Sequence, residues 1–295
     1  MLILNEAQVR DLLHLEELIP VVEQALIDFS TGAVQQPVRS VLPVSSHNGL
    51  WALMPAVYDD VMGVKLVTLY EDNATHGIPT HQASIQLFSS QTGQPLALMD
   101  GRLITELRTA AVSAVATRLL AKPDARVLAI LGSGVQAGSH VQALRMVRQF
   151  DEIRVWSRTL EHAQRFADAI GARTTTREDA VRGADVVVAV STTRTPLVLG
   201  EWLNPEAYVN AVGTVGLNQR ELDDAAMNAV VVVESAESAL RESGDIVHSG
   251  APIYAELGEL LARNRPLPKG RVVFKSLGIA ATDIAAARLV YQRAR

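Results

Sequence analysis

The 295-residue sequence contains no cysteine. Disulfides, thiolate nucleophiles and cysteine-based metal sites are therefore excluded. An excess of positive charge is also missing: 27 Lys and Arg stand against 32 Asp and Glu, for a net charge of -5, and no basic block breaks the pattern. That balance removes the electrostatic footprint of a nucleic-acid binder. No apolar run approaches the ~20 residues of a membrane-spanning helix. The opening "MLILNEAQVRD" turns polar at Asn5, too soon for a signal-peptide core, so a cytoplasmic chain without membrane partners is expected. No histidine pair has metal-site spacing and no G-x-S-x-G elbow occurs, which argues against metal and acyl-enzyme mechanisms. Internal repeats and low-complexity stretches are absent as well.

What is present is 48% hydrophobic residues, enough at this length for two domains. Spaced Leu, Ile and Val from Asn5 to Phe29 predict helical packing, with Asn5 as cap and Gly32 as stop. From "PVRSVLPV" through "LWALMPAVY", "VMGVKLVTLY", "ASIQLFSS" and "PLALMDG", short β-rich runs separated by turn residues predict an antiparallel sheet. The Ala-rich "TELRTAAVSAVATRLLAKP" predicts a helix capped by Thr109 and ended by Lys122-Pro123. Beyond Pro123, near-continuous apolar strands such as "RVLAIL", "ADVVVAVS" and "AVVVVES" alternate with amphipathic helices, the pattern of a parallel sheet covered on both faces. The expected fold is α/β: a doubly wound Rossmann sheet plus an α+β domain with an antiparallel sheet. The expected divisions are residues 1–122, 123–277 and 278–295.

"LGSGVQAGSH" follows the first strand of that second region. Gly132 and Gly134 suit the tight turn and close backbone approach of a dinucleotide pyrophosphate, and Ala137 takes the small third position. The phosphate would face the free N–H groups of Val135 and Gln136 at the helix start. A structural glycine turn is the bland alternative. The next strand ends "VWSRT", where Ser157, Arg158 and Thr159 offer two hydroxyls and a guanidinium with no carboxylate to repel a 2′-phosphate. That favours NADPH, with NADH as a weaker second cofactor.

Hydride transfer to a small acid needs a cationic clamp. The first region offers Arg39, Lys65 and Arg108. Lys65 lies within the apolar run "MGVKLVTL" and must have either an ion-pair partner or a substrate, because an isolated buried ammonium is costly. Taken singly, each cation also reads as structural. Glu71 and Asp72 are candidates either to pair with Lys65 or to cap a loop. His81 is a candidate substrate contact or a satisfied core histidine, and His140 reads as a packing or surface residue.

These motifs, with "GEWLNPEAYVNAVG", "RELDD", "ESGD" and "FKSLGIAATD", run in order along the whole chain and resemble the ornithine cyclodeaminase/mu-crystallin family, particularly its ketimine reductase branch. The resemblance implies homodimers formed through the first domain's sheet, with the C-terminal helix returning to that domain. It implies that Arg39, Lys65 and Arg108 hold the substrate carboxylate and reacting nitrogen, that Thr109 and Gln136 lie on the cofactor side, and that Leu277 and Gly278 form the loop near the nicotinamide.

Two departures bear on the reaction. Val215 stands where cyclodeaminases carry a catalytic aspartate, and Ala52 replaces an acidic residue before "LMP", so ornithine cyclisation is not expected. The expected reaction is NADPH-dependent reduction of a cyclic ketimine carboxylate, pyrroline-2-carboxylate or piperideine-2-carboxylate, to proline or pipecolate. Alternatives are an alanine or N-alkyl amino acid dehydrogenase acting on a linear imine, and an NADPH-dependent thyroid-hormone binder or crystallin.

Overall fold

Side-chain alternation in the first region and continuous apolar strands in the second produce two different sheets. A computed structural model describes residues 1–295, which divide into residues 1–108 with 278–295, and residues 109–277.

The first unit runs β1 (Leu2–Leu4), α1 (Glu6–Leu12), α2 (Leu15–Ser30), β2 (Val34–Gln35), β3 (Ser40–Val44), β4 (Gly49–Tyr58), β5 (Val61–Tyr70), β6 (His81–Ser89) and β7 (Pro95–Asp100). Asn5 caps α1 in a reciprocal box: its side chain accepts the Gln8 N–H at 3.0 Å while the Gln8 side chain accepts the Asn5 N–H at 3.0 Å. The single helical stretch read from Asn5 to Phe29 is two helices, because buried Leu13 turns extended (φ -118°) and His14 starts the second.

The sheet order is β1-β7-β6-β5-β4-β2, with β3 also on β4. It is mixed rather than wholly antiparallel, since β1 lies parallel to β7, pairing Leu2 with Ala97. Alternate residues of β4 and β5, among them Ala52, Met54, Ala56, Lys65 and Val67, are buried. The C-terminal helix (Ala280–Arg293) packs against α2 and against β4, β5 and β6, and its alanines let it lie close to the strands. The opposite face of the sheet leaves Leu42, Trp51 and Val57 exposed.

Helix α3 (Arg102–Leu120) begins earlier than the sequence suggested. Asp100 Oδ1 accepts the Leu103 N–H at 3.1 Å and so supplies the cap. Thr109 is a buried interior residue of the helix rather than its cap. The two units meet in sequence at Arg108–Thr109, inside this helix, whereas the expected division followed its end.

The second unit continues with β8 (Val127–Leu131), α4 (Val135–Val147), β9 (Glu152–Trp156), α5 (Leu160–Ile170), β10 (Arg173–Thr174), α6 (Arg177–Val181), β11 (Val186–Ala189), β12 (Tyr208–Ala211), α7 (Asp224–Met227), β13 (Val230–Val233), α8 (Ala236–Glu242), α9 (Gly244–Ser249), β14 (Ile253–Glu256), α10 (Leu257–Leu261) and β15 (Val272–Lys275). All neighbours are parallel, in the order β10-β9-β8-β11-β12-β15-β13-β14. The strand order reverses between β8 and β11, which in doubly wound sheets opens the ligand crevice at the strands' carboxyl ends.

Inside this unit the fully buried Lys275 ammonium lies 2.8 Å from Glu221 Oε2 and 3.1 Å from Asp245 Oδ2. Asp245 Oδ1 accepts the N–H groups of Glu221 and Leu222, and Lys275 also donates to the Thr214 carbonyl at 3.0 Å. Burial pushes the Glu221 carboxyl up to about 7 despite Lys275, and the Asp245 charge adds to the rise. One cation among two buried acids favours keeping a proton on one of them. No helix of the chain is long and apolar enough to cross a membrane.

Candidate functional site

In the second unit, β8 delivers the chain into the glycine turn. Gly132 has φ +146°, and a Cβ there would sit 3.0 Å from Val190 Cγ2 and 3.1 Å from the Val190 carbonyl, so only glycine fits without strain. Its N–H donates to the Trp156 carbonyl at 2.8 Å, tying the turn to β9. A Cβ on Gly134 would meet no atom within 4 Å, so the space over the turn is open. Gly134 is the N-cap residue of α4 and no side chain caps the helix; Val135 is exposed and Ala137 is buried against the strands. The buried Gln136 Oε1 has no hydrogen-bond partner. An open glycine turn and a helix start without a side-chain cap fit a dinucleotide pyrophosphate.

At the end of β9, Ser157 Oγ accepts a hydrogen bond from Ser133 Oγ at 2.9 Å. Arg158 and Thr159 are exposed, and the Thr159 side chain does not cap α5 although it occupies the N-cap position. His140, on α4, is a satisfied interior histidine. Its Nδ1 contacts the Gln136 carbonyl at 2.7 Å and must carry the proton; Nε2 therefore accepts from Ser113 Oγ at 2.9 Å. Burial lowers its pKa to about 4 and keeps it neutral.

The first unit brings the three candidate cations together. Lys65 Nζ lies 2.7 Å from Asp283 Oδ2, and Arg108 Nε lies 2.9 Å from Asp283 Oδ1. Lys65, Arg108 and Asp283 are all buried. Arg39 donates to the Gly278 carbonyl at 2.7 Å. Gly278 has φ +78°, and a Cβ there would come within 2.7 Å of both terminal nitrogens of Arg108, so this glycine is required by backbone and by neighbour. Leu277 ends the second unit, its N–H donating to Glu234 Oε2 at 2.8 Å.

The ion-pair partner of Lys65 is Asp283; Glu71 and Asp72 instead open a short 3-10 turn over Glu71–His76. Burial and the charges of Arg108 and Arg39 oppose the Asp283 attraction and bring the Lys65 pKa down to about 7. The Asp283 carboxyl is held below its usual range by Arg108 and Lys65, against the effect of its own burial. His81 lies within the field of the cluster: burial, then the charges of Lys65 and Arg108, lower it to about 4. At neutral pH it is an uncharged imidazole and not a ready acid. Lys65 and Arg108 thus share the Asp283 carboxylate, the Arg39 charge acts on Lys65 beside them, and Arg108 Nη1 is buried with no hydrogen-bond partner. Such a cluster is built to receive an anion.

Sequence reasoning gave Asp283 no role. Its signal is an acid within "GIAATDIAAARLV", where small and apolar residues surround it on every side of a helix. The acids that hold Lys275, Glu221 in "RELDD" and Asp245 in "ESGD", were likewise seen only as parts of motifs. The two positions that depart from cyclodeaminases differ in setting: Val215 is exposed in the second unit, and Ala52 is buried in β4.

The model of the ornithine cyclodeaminase/mu-crystallin family matches residues 1–295. Ketimine reductase mu-crystallin of Mus musculus is 46% identical over a 299-residue alignment covering 98% of this chain and 96% of its own. Among solved structures, Thermococcus litoralis Delta(1)-pyrroline-2-carboxylate reductase in complex with NADH and L-proline has a TM-score of 0.94 at 35% identity, covering 100% of this chain and 97% of that one. An archaeal alanine dehydrogenase dimer with bound NAD has a TM-score of 0.95 at 31% identity, covering 100% of this chain and 96% of that one. Matched along its whole length in sequence and in fold, the chain belongs to the ornithine cyclodeaminase/mu-crystallin family.

Proposed function

We propose that the protein is a nicotinamide-dependent imine reductase that converts cyclic ketimine carboxylates, pyrroline-2-carboxylate and piperideine-2-carboxylate, to the corresponding cyclic amino acids. The observation that carries this reading is the buried cationic pair Lys65 and Arg108 on the single carboxylate of Asp283, with an orphaned N–H on Arg108 and Arg39 held at the neighbouring Gly278 carbonyl. The similarity to a solved pyrroline-2-carboxylate reductase supports the substrate class.

The nicotinamide supplies the hydride that reduces the C=N bond. Arg39 and Arg108 bind the substrate carboxylate, the planar guanidinium fork matching two oxygens. Asp283 orients Lys65 and Arg108 and supports the protonated form of Lys65 against its burial. Lys65, with a pKa of about 7, exchanges its proton near neutrality and is the group suited to keep the imine nitrogen protonated, whereas His81 at about 4 is not. Protonation makes the imine carbon a better hydride acceptor. Neither Val215 nor Ala52 offers the carboxylate that cyclodeaminases carry at the matching positions, which favours a substrate that is already an imine over ornithine.

The cofactor is NADPH. The two solved relatives carry NADH and NAD. In this chain Ser157, Arg158 and Thr159 put hydroxyls and a guanidinium where NAD sites place a carboxylate. The exposed apolar face at Leu42, Trp51 and Val57 supports assembly as a homodimer through the first unit's sheet.

The test is loss of NADPH absorbance with pyrroline-2-carboxylate and piperideine-2-carboxylate, beside pyruvate with ammonia or methylamine. The cyclic imines are expected to turn over at least ~10-fold faster in kcat/KM. A second reading, reduction of the linear imine of pyruvate, is favoured by the similarity to alanine dehydrogenase, and turnover confined to the pyruvate mixtures would establish it in place of the first.

A further inference from the structure

At the carboxyl end of β9 and β10 the second unit holds a pocket of about 490 Å³ whose lining includes Ser157, Arg158, Thr174, Thr175 and Arg177. Two guanidiniums and four hydroxyls share the lining with Trp156, Leu160, Ala163 and Gln164, and no carboxylate is among them. A concave wall of that composition favours a multiply charged oxyanion.

Arg177 is held in place for this role. Its guanidinium carbon lies 5.8 Å from the ring centroid of Trp156 and 5.2 Å from that of Trp202, and Nη1 makes one long hydrogen bond, 3.4 Å, to the Pro196 carbonyl. Cation–π contacts with two indoles restrain a side chain that would otherwise lose rotamer freedom on binding a ligand. Trp156 closes β9 and directly precedes Ser157, so the contact ties Arg177 to the same strand end that carries the ribose-reading residues. Thr174 and Thr175 add hydroxyls from β10 and the residue after it.

We propose that Arg177 is a specificity-determining residue of the cofactor site, forming with Arg158 a guanidinium pair that binds a phosphate monoester dianion, the 2′-phosphate of the adenosine ribose. The proposal rests on the NADPH reading above and extends it to a residue at the start of α6. Arg177 supplies the planar, always-charged fork and Arg158 the mobile, exposed one.

The experiment measures NADPH and NADH dissociation constants for the full-length wild type and for R177Q, R177K and R158Q. R177Q is expected to weaken NADPH by about 10- to 100-fold, the size of a lost charge-assisted hydrogen bond, and to change NADH by less than about twofold. R177K, which keeps the charge and loses the fork, is expected between R177Q and wild type. NADH binding in each variant reports that the unit is folded. The proposal is overturned if R177Q leaves NADPH affinity unchanged, or if it weakens NADPH and NADH equally, as a purely packing role would. Loss of the NADPH preference in R158Q but not in R177Q would remove Arg177 and leave the cofactor reading standing. A wild type that binds both cofactors equally, with R158Q unchanged, would remove both.

Discussion

Among single residues, Lys65 and its counter-ion Asp283 set the chemistry of the first unit. Lys65 was legible because a lysine inside an apolar strand must be paired with something. Asp283 was not, because nothing in the spacing of residues predicts that the C-terminal helix returns its acid to an arginine 175 positions away. The pair has a pH consequence. The Asp283 charge raises the Lys65 pKa against burial and the two arginines. Asp283→Asn removes that support, so the free-enzyme pKa falls below about 7. On the proposed mechanism turnover uses the protonated lysine, so kcat/KM for pyrroline-2-carboxylate is expected to decline above about pH 7 in the wild type and at lower pH in the variant. A steady-state pH profile of the two proteins checks this, and an unmoved alkaline limb would detach Lys65 from the reaction.

At the element scale the strands and helices of both sheets follow from hydrophobic period, and their errors are local. Thr109 looked like a cap because a hydroxyl preceded an alanine run, but Asp100 starts the helix earlier. The parallel partner of β7 is a strand of three residues, too short to carry a periodic signal. The turn after β15 shows how an element boundary serves the site. Gly278 combines a positive φ with close approach to Arg108 and a carbonyl held by Arg39. Gly278→Ala is expected to cost more than about 1 kcal/mol of stability by forcing a side chain into left-handed backbone, and to lower kcat/KM by about tenfold or more by displacing Arg108. Thermal denaturation and steady-state kinetics on the same preparation measure the two effects.

For the whole molecule, two buried titrations oppose one another. Glu221 has a folded pKa raised from 4.5 to about 7, so its contribution to stability is complete below 4.5 and is lost as pH rises through 7. Lys65 has a folded pKa lowered from 10.5 to about 7, so the native state binds fewer protons than the unfolded chain between 7 and 10.5, and stability from this group recovers as pH rises through that window. Apart from other groups, the Tm of the ligand-free protein should therefore dip near pH 7. Glu221→Gln should remove the acid-side slope and leave the alkaline one, as calorimetry across pH 5–9 would show. The order of motifs along the chain revealed the α/β plan and the family, whereas the meeting of Lys65, Arg108 and Asp283 in one unit came only from the fold. The central claim is that this meeting exists to hold a carboxylate. Its most direct test is kcat/KM for pyrroline-2-carboxylate against 1-pyrroline, the same ring without the acid, with NADPH saturating. Each charge-assisted hydrogen bond contributes about 1.5–3 kcal/mol, so the carboxylated ring is predicted to be preferred by at least ~100-fold. Equal values for the two rings would contradict the assignment of Arg39, Lys65 and Arg108 to the substrate.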